Sequence, residues 1–375
     1  MEEKTDLVAG GNIPAGIDRW MLAPLIDEIE VSLFGPGKGE CVLVHLGGGK
    51  WMVVDSCLDD RKVAAPLAYL ESIGVAPDAI ELVVASHWHD DHIGGLGQVV
   101  KAATHARFFC SNGLEIDEFF MVVAAAAQRP MMQSTSGVSE FGAVIEVLES
   151  RSTPLGWAMV DRILHSTASV KVHSLSPSDM AVTESRRLIS AAWASQQSAA
   201  TRLAVPRPER NPSAIVLHVQ IGAVSLLLCS DLETDRDPAM GWLAVVDAHA
   251  RPTELADFVK VAHHGSGNGH EARVWAEMLG PQPYAALTPY LSGSTPIPRP
   301  ADIARLRALT PNLFVTRRPG VQRSGRDWRA QKMAEEATNW IASEPRSAGA
   351  LRFRRPIDAS SEWQVSMSGT AEQVA

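Results

Sequence analysis

The chain has no apolar run of about 18 or more residues free of charge, which excludes a conventional membrane-spanning helix. Its start, Met1-Glu2-Glu3-Lys4-Thr5-Asp6, is acidic where a secretory signal would be basic and then apolar, so the cytoplasm is the expected location and no membrane is an expected partner. Cysteine is scarce. Cys41, Cys57, Cys110 and Cys229 are widely spaced with no CxxC pair, which excludes a disulfide framework and a cysteine zinc site and leaves buried free thiols. Positive charge is also short: 34 Lys and Arg against 43 Asp and Glu give a formal charge of −9. Non-specific nucleic-acid affinity comes mostly from neutralised phosphates, so a general nucleic-acid coat is excluded and only a local basic groove stays open. No internal repeat or long linker divides the 375 residues, and 46% hydrophobic residues is ample for a core.

What the chain has is one dense stretch, Ser86-His87-Trp88-His89-Asp90-Asp91-His92-Ile93-Gly94-Gly95-Leu96, directly after the apolar run Leu82-Val83-Val84-Ala85. A buried strand ending in a loop of imidazoles is a poor way to fill a core and a good way to hold metal. Neutral imidazole and carboxylate suit zinc and its first-row neighbours. In an extended segment residues two apart point the same way, so His87 and His89 can grip one ion. Asp91 and His92, further round the turn, can grip a second, which outlines a two-metal site.

The spacing His-x-His-x-Asp-His, followed by the tight Gly94-Gly95 turn, resembles the metallo-β-lactamase-fold hydrolase superfamily. The resemblance implies an α/β fold, an αββα sandwich, here with helical insertions and a C-terminal accessory segment. The opening fits it: Ile29 to Leu33, Cys41 to His45 and Trp51 to Asp55 read as strands joined by Gly-rich turns, and residues 60–74 as a helix with Val63, Leu67, Leu70 and Ile73 at three-to-four spacing. Asp55 matches the aspartate that closes the superfamily's first hairpin. We expect it to fix the tautomer of a ligand histidine, the alternative being a turn former.

Two later strand ends also carry ligand-type residues. Ala223 to Asp231 is nearly all apolar and ends in a carboxylate, costly to bury unless paired or metal-bound, so Asp231 is the expected bridging ligand and matches the superfamily's bridging position. Phe258-Val259-Lys260-Val261-Ala262 runs into His263-His264-Gly265-Ser266-Gly267-Asn268-Gly269. Strand alternation puts Val259, Val261 and His263 on one face, which favours His263 as ligand and leaves His264 to stabilise developing charge or protonate a leaving group. The two assignments are exchangeable. Cys229-Ser230-Asp231 together with Lys260 to Ser266 resembles the branch that includes the hydrolase domain of ComEC-type DNA-uptake proteins and related phosphodiesterases, over roughly residues 28–320. The chain departs from the family in two places. It has no Gly-His-Thr-like loop to give the first ion a third histidine, His165 being the nearest candidate and His105, His173 and His218 weaker ones. It also reads Arg299-Pro300 where the branch has His-Pro, which puts a cation in that place.

The expected ligands are therefore His87, His89, Asp91, His92, Asp231 and His263, holding two divalent ions, zinc first and manganese as the alternative. Asp91 and His264 are the expected catalytic groups. Two ions about 3.5–4 Å apart lower the pKa of a shared water toward neutrality. Such a pair can attack a phosphodiester, lactone, thioester or lactam, and fold does not choose among them. The branch resemblance implies a phosphodiester. The cationic stretch Arg317-Arg318 to Arg329, with its interleaved glycines and Trp328, favours phosphate as a phosphate-binding loop through which nucleic acid is a candidate partner, the alternative being a solvated tail segment. Lys260, Ser266, Arg317 and Arg318 are the expected substrate contacts. Two other functions compete: a carbon-ester hydrolase, and an inactive binding subunit in an assembly with protein partners or further copies of the chain. The expected organisation is an arm over residues 1–27, a hydrolase domain over 28–320 with helical insertions at about 112–165 and 178–205 that cap the site or merely pack, and an accessory segment over 321–375.

Overall fold

The computed structural model describes residues 19–35, 39–127, 137–198, 211, 213–291, 296–318 and 349–374. Alternation dictates its layers. In β1 (Glu28–Gly35), β2 (Cys41–His45), β3 (Trp51–Val54) and β4 (Ile80–Ala85), one set of side chains includes Val31, Val44, Met52 and Val84 and the opposite set includes Leu43, Trp51, Val53 and Val83. Strands apolar on both faces must be covered on both. With β5 (Arg107–Ser111) and β6 (Gly156–Ala158) they make a first sheet. The chain then builds a second sheet from β7 (Arg162–Ser166), β8 (Val170–Ser174), β9 (Leu217–Ile221), β10 (Val224–Leu228), β11 (Ala256–Lys260), β12 (Leu279–Leu287) and β13 (Leu313–Val315).

The inner faces meet in one core that includes Leu33, Leu82, Leu226, Phe258, Phe314 and Phe353. Outside the first sheet lie α1 (Ala65–Ser72), α2 (Asp90–Ile93), α3 (Leu96–Ala102), α4 (Asp117–Ala127), α5 (Gly137–Ser150) and α6 (Asp179–Ser198). Their Leu70, Ile93, Leu96, Phe119, Phe141 and Ile189 join Trp51 and Val53 in a second core. Outside the second sheet, α7 (Gly241–Val246), α8 (Ala272–Glu277) and α9 (Pro300–Leu309) place Trp242, Val274 and Leu306 against Leu227 and Val259. Helix, sheet, sheet, helix is the αββα sandwich. Helices α4, α5 and α6, expected as insertions, thus contribute to the outer layer of the first sheet. Among the described residues no helix is long and apolar enough to cross a membrane.

The end of the chain corrects the expected accessory segment. β14 (Gly349–Pro356) pairs with β1 over the whole length of both, from Glu28↔Pro356 to Gly35↔Gly349, and β15 (Gln364–Ser368) follows it as the edge strand. β16 (Glu372–Gln373) then crosses to the second sheet beside β13. Phe353 and Trp363 lie in the core between the sheets, so residues 349–374 belong to the sandwich itself.

β3 to β6 run parallel, as do β10 to β13. Ligand sites of parallel strands gather at their carboxyl ends, and this is where Asp55, Ser86, Asp231 and His263 emerge.

Candidate metal centre

The loop after β4 is fixed before its side chains are considered. Ser56 N–H donates to His92 O at 2.7 Å and Glu40 N–H to Asp91 O at 2.7 Å. Gly137 N–H, at the start of α5, donates to Asp90 Oδ1 at 2.6 Å. A Cβ on Gly137 would come within 2.0 Å of Trp88 O, so only glycine lets α5 close on the loop.

Hydrogen bonds then set the tautomers. Asp55, buried at the end of β3, accepts His92 Nδ1–H at 2.7 Å, the Ser86 hydroxyl at 2.6 Å and Ser86 N–H at 2.7 Å. Since the Ser86 proton goes to Asp55, Ser86 Oγ is an acceptor for the Ser230 hydroxyl at 2.6 Å and for His87 Nδ1–H at 3.0 Å. His264 Nδ1–H donates to Thr288 O at 2.8 Å. In their neutral forms, all three imidazoles therefore turn an Nε2 lone pair toward the centre.

One donor atom from each of Asp91, His92, Asp231 and His264 lies within 4.8 Å of the others. Asp231 Oδ2 is their common neighbour, 3.4 Å from His92 Nε2, 3.3 Å from His264 Nε2 and 4.0 Å from His87 Nε2. Asp91 Oδ2 lies 3.4 Å from His264 Nε2 and 3.8 Å from His92 Nε2. His89 stands beside His87, with ring centroids 4.8 Å apart. The buried Nε2 atoms of His87 and His92 make no hydrogen bond, a cost that a polar nitrogen escapes by ligating a cation.

Electrostatics points the same way. Burial opposes charge on His264, but Asp231 first, then Asp91 and Glu40, push its pKa up to about 10. Burial likewise works against His92, and Asp231, Asp55 and Asp91 outweigh it to raise its pKa. Asp231 and Asp91 resist burial through the same pairs and ionise below the usual carboxylate range. His87, where burial and then His92 and His89 act together, is held neutral. The acids draw positive charge onto the imidazoles, the demand that a divalent cation satisfies.

The structure corrects the order of the histidine pair. β11 ends at Lys260, so alternation does not carry on to residue 263. His263 and His264 instead take left-handed backbone angles, φ 44° and 53°, in a tight turn. His264 is thereby swung into the cluster. His263 is turned away, its Nδ1 3.1 Å from Asn268 Oδ1 and 3.8 Å from Glu233 Oε1. Asp55 (φ 61°) and Ser230 (φ 47°) share this uncommon conformation, a strain that collects where surrounding structure dictates side-chain direction. We expect His264→Ala to lose roughly half or more of the bound metal and His263→Ala none, measured by elemental analysis after gel filtration.

The other expected residues divide. Lys260 is a correction: 1% exposed and ion-paired to Glu40, it cannot meet substrate. Ser266 is also buried, donating to Asn268 Oδ1 at 2.5 Å. Arg317 and Arg318 leave the carboxyl end of β13 on the side of the sheet end where His263 lies, and Arg318 reaches Glu372 at 3.5 Å. The remaining cationic stretch, 319–329, lies outside the described residues, as do residues 1–18 of the expected arm. His165 is no ligand of this cluster: it sits on β7 with Nε2 3.7 Å from Glu81 Oε2, near the start of β4 and the opposite end from His87. His105 is exposed on the turn before β5. His173 and His218 face one another across β8 and β9. Arg299 is exposed at the start of α9, whose Arg305 donates to Gly265 O at 2.7 Å. Sequence reasoning missed Glu40, Ser86 and Ser230, whose signal was adjacency to Gly39, His87 and Asp231.

Two sheets packed face to face with a His/Asp cluster at their carboxyl ends define a metallo-β-lactamase fold. Residues 34–121, the stretch that carries the histidine loop, match the family model of the Metallo-beta-lactamase superfamily. No curated protein matches the chain. Similar solved structures include the metallo-beta-lactamase fold protein YhfI from Bacillus subtilis (14% identity, 62% of this chain and 70% of that one, TM-score 0.33). Others are a HARLDQ-motif mutant metallo-beta-lactamase from Cronobacter sakazakii (14%, 65% and 79%, 0.35) and MEM-A1, a subclass B3 metallo-beta-lactamase from a soil metagenome library (13%, 70% and 90%, 0.34).

Proposed function

We propose that the protein is a metal-dependent hydrolase that holds two divalent ions, zinc before manganese, and cleaves a phosphodiester in a nucleotide or nucleic acid. The observation that carries the reading is the convergence of Asp91, His92, Asp231 and His264 within 4.8 Å, with the unbonded Nε2 of His87 beside them. Bound divalent ions supply Lewis acidity and acidify water toward pH 7. The chain's own part is orientation and proton handling. Asp55 and Ser86 aim His92 and His87, and Asp231 Oδ2 serves both halves of the cluster. His263 donates Nδ1–H to Asn268 Oδ1, so its Nε2 carries a proton for a leaving oxygen only in the imidazolium form.

Phosphate is favoured over carbon esters by the likeness of Cys229 to Asp231 and Lys260 to Ser266 to the ComEC-type branch. The cations Arg317 and Arg318, at the same end of the sheet as the cluster, support an anionic substrate. Four buried free cysteines fit a reducing compartment, the cytoplasm.

The test is metal content by elemental analysis together with hydrolysis of bis-p-nitrophenyl phosphate with added zinc or manganese. We expect about two ions per chain and metal-dependent cleavage. Two ions with cleavage only of lactone or thioester reporters would replace the phosphodiester by a carbon ester, and absence of retained metal would reject the hydrolase in favour of a binding subunit.

A further inference from the structure

Two of the most deeply buried charged side chains, Lys260 and Glu40, are neither ligands of the cluster nor substrate contacts. Each is 1% exposed. Lys260, the last residue of β11, forms an ion pair with Glu40 Oε1, donates to Ser230 O at 3.0 Å and stands 3.7 Å from Asp231 Oδ1. Glu40 immediately precedes β2 of the other sheet, and its N–H holds Asp91 O. Its second oxygen, Oε2, is buried without a hydrogen bond and lies 3.9 Å from His264 Nδ1. The pair therefore touches the backbone or side chain of Asp91, Asp231 and His264 from behind.

Stability alone does not account for it. Taking a lysine and a glutamate out of water costs several kcal/mol per ion before their attraction offsets it, and an apolar pair of the same volume is often as stable. What the ammonium does geometrically is divide the two oxygens of Asp231. Oδ1 faces Lys260, while Oδ2 faces His92, His264 and His87. It also ties down the carbonyl of Ser230, the residue whose φ of 47° turns the Asp231 side chain toward the cluster.

We propose that the Lys260–Glu40 pair is the positioning device of the metal centre: it holds Asp231 so that Oδ2 alone enters the cluster, and it ties the second sheet's ligands to Asp91 of the first. The proposal rests on the metal-centre reading. Lys260 acts through Asp231 and does not touch substrate.

Lys260→Met alone leaves Glu40 as an unpaired buried carboxylate, so the informative protein is the charge-neutral double variant Lys260→Met/Glu40→Gln, checked by circular dichroism and melting. In the folded double variant we expect zinc affinity, measured by competition with a chromophoric chelator, to fall about 10–100-fold. The visible spectrum of its cobalt-loaded form should change, because the carboxylate no longer arrives in one orientation. A folded double variant with wild-type zinc affinity and the wild-type cobalt spectrum would overturn the positioning role while leaving the metal centre standing. A wild-type protein that binds neither ion would overturn both.

Discussion

Asp231→Ala is expected to abolish metal binding and metal-dependent hydrolysis together while the sandwich stays folded. The carboxylate is the common neighbour of the cluster, so its removal reaches both halves at once. One pre-organised charge-stabilising group is worth about 10²–10³ in rate. A residue that serves two ions should cost at least that. The fold should survive because the substitution leaves no new unpaired charge behind Asp231: Lys260 keeps Glu40, and Ser230 keeps its bond to Ser86. Metal content and a melting curve on the same preparation check both halves of the statement. Undiminished metal in a folded variant would mean that Asp231 is not the bridging group.

Local signals were legible in the sequence and long-range ones were not. The order of His87, His89, Asp91 and His92 is written in one loop, and Asp55 and Asp231 are visible as carboxylates closing apolar strands. The six strands from Glu28 to Ala85 and from Val224 to Lys260 follow from alternation in β1 and from short apolar runs in the others. By contrast, the choice between His263 and His264 turns on where β11 stops. Two residues of left-handed backbone beyond Lys260 reverse an inference that extended alternation would make. Lys260 looked like a substrate cation because its partner, Glu40, is on another sheet and far away in sequence. β14 was hidden for the same reason, since Leu351 and Phe353 read as core only once β1 lies alongside them. Arg352, between them in sequence, and Arg354, just after, mask the pattern by their charge. They are accommodated on the opposite face, Arg354 by Glu30 at 2.6 Å and Arg352 over the Trp20 ring at 4.7 Å.

Asp55 is the residue where the sequence-based expectation and the geometry can be tested against each other most sharply. Its carboxylate accepts three hydrogen bonds, from Ser86 N–H, the Ser86 hydroxyl and His92 Nδ1–H. Asp55→Ala would strand all three donors in a buried site, at about 1–3 kcal/mol each, against a typical total stability of about 5–15 kcal/mol. It would also put alanine at φ 61°. That variant should unfold or melt far below wild type. Asp55→Asn is the sharper probe, because asparagine tolerates the left-handed backbone and keeps the shape. Its amide has one acceptor oxygen, which Ser86 N–H claims, so its NH₂ group faces His92 Nδ1. Two donors cannot face one another, and His92 must move its proton to Nε2, the atom that the cluster needs as a lone pair. We therefore expect folded Asp55→Asn to bind zinc about 10–100-fold more weakly, with the His92 tautomer reversed in imidazole ¹⁵N spectra. Wild-type affinity with the proton still on Nδ1 would show that Asp55 holds the fold and has no say in the metal.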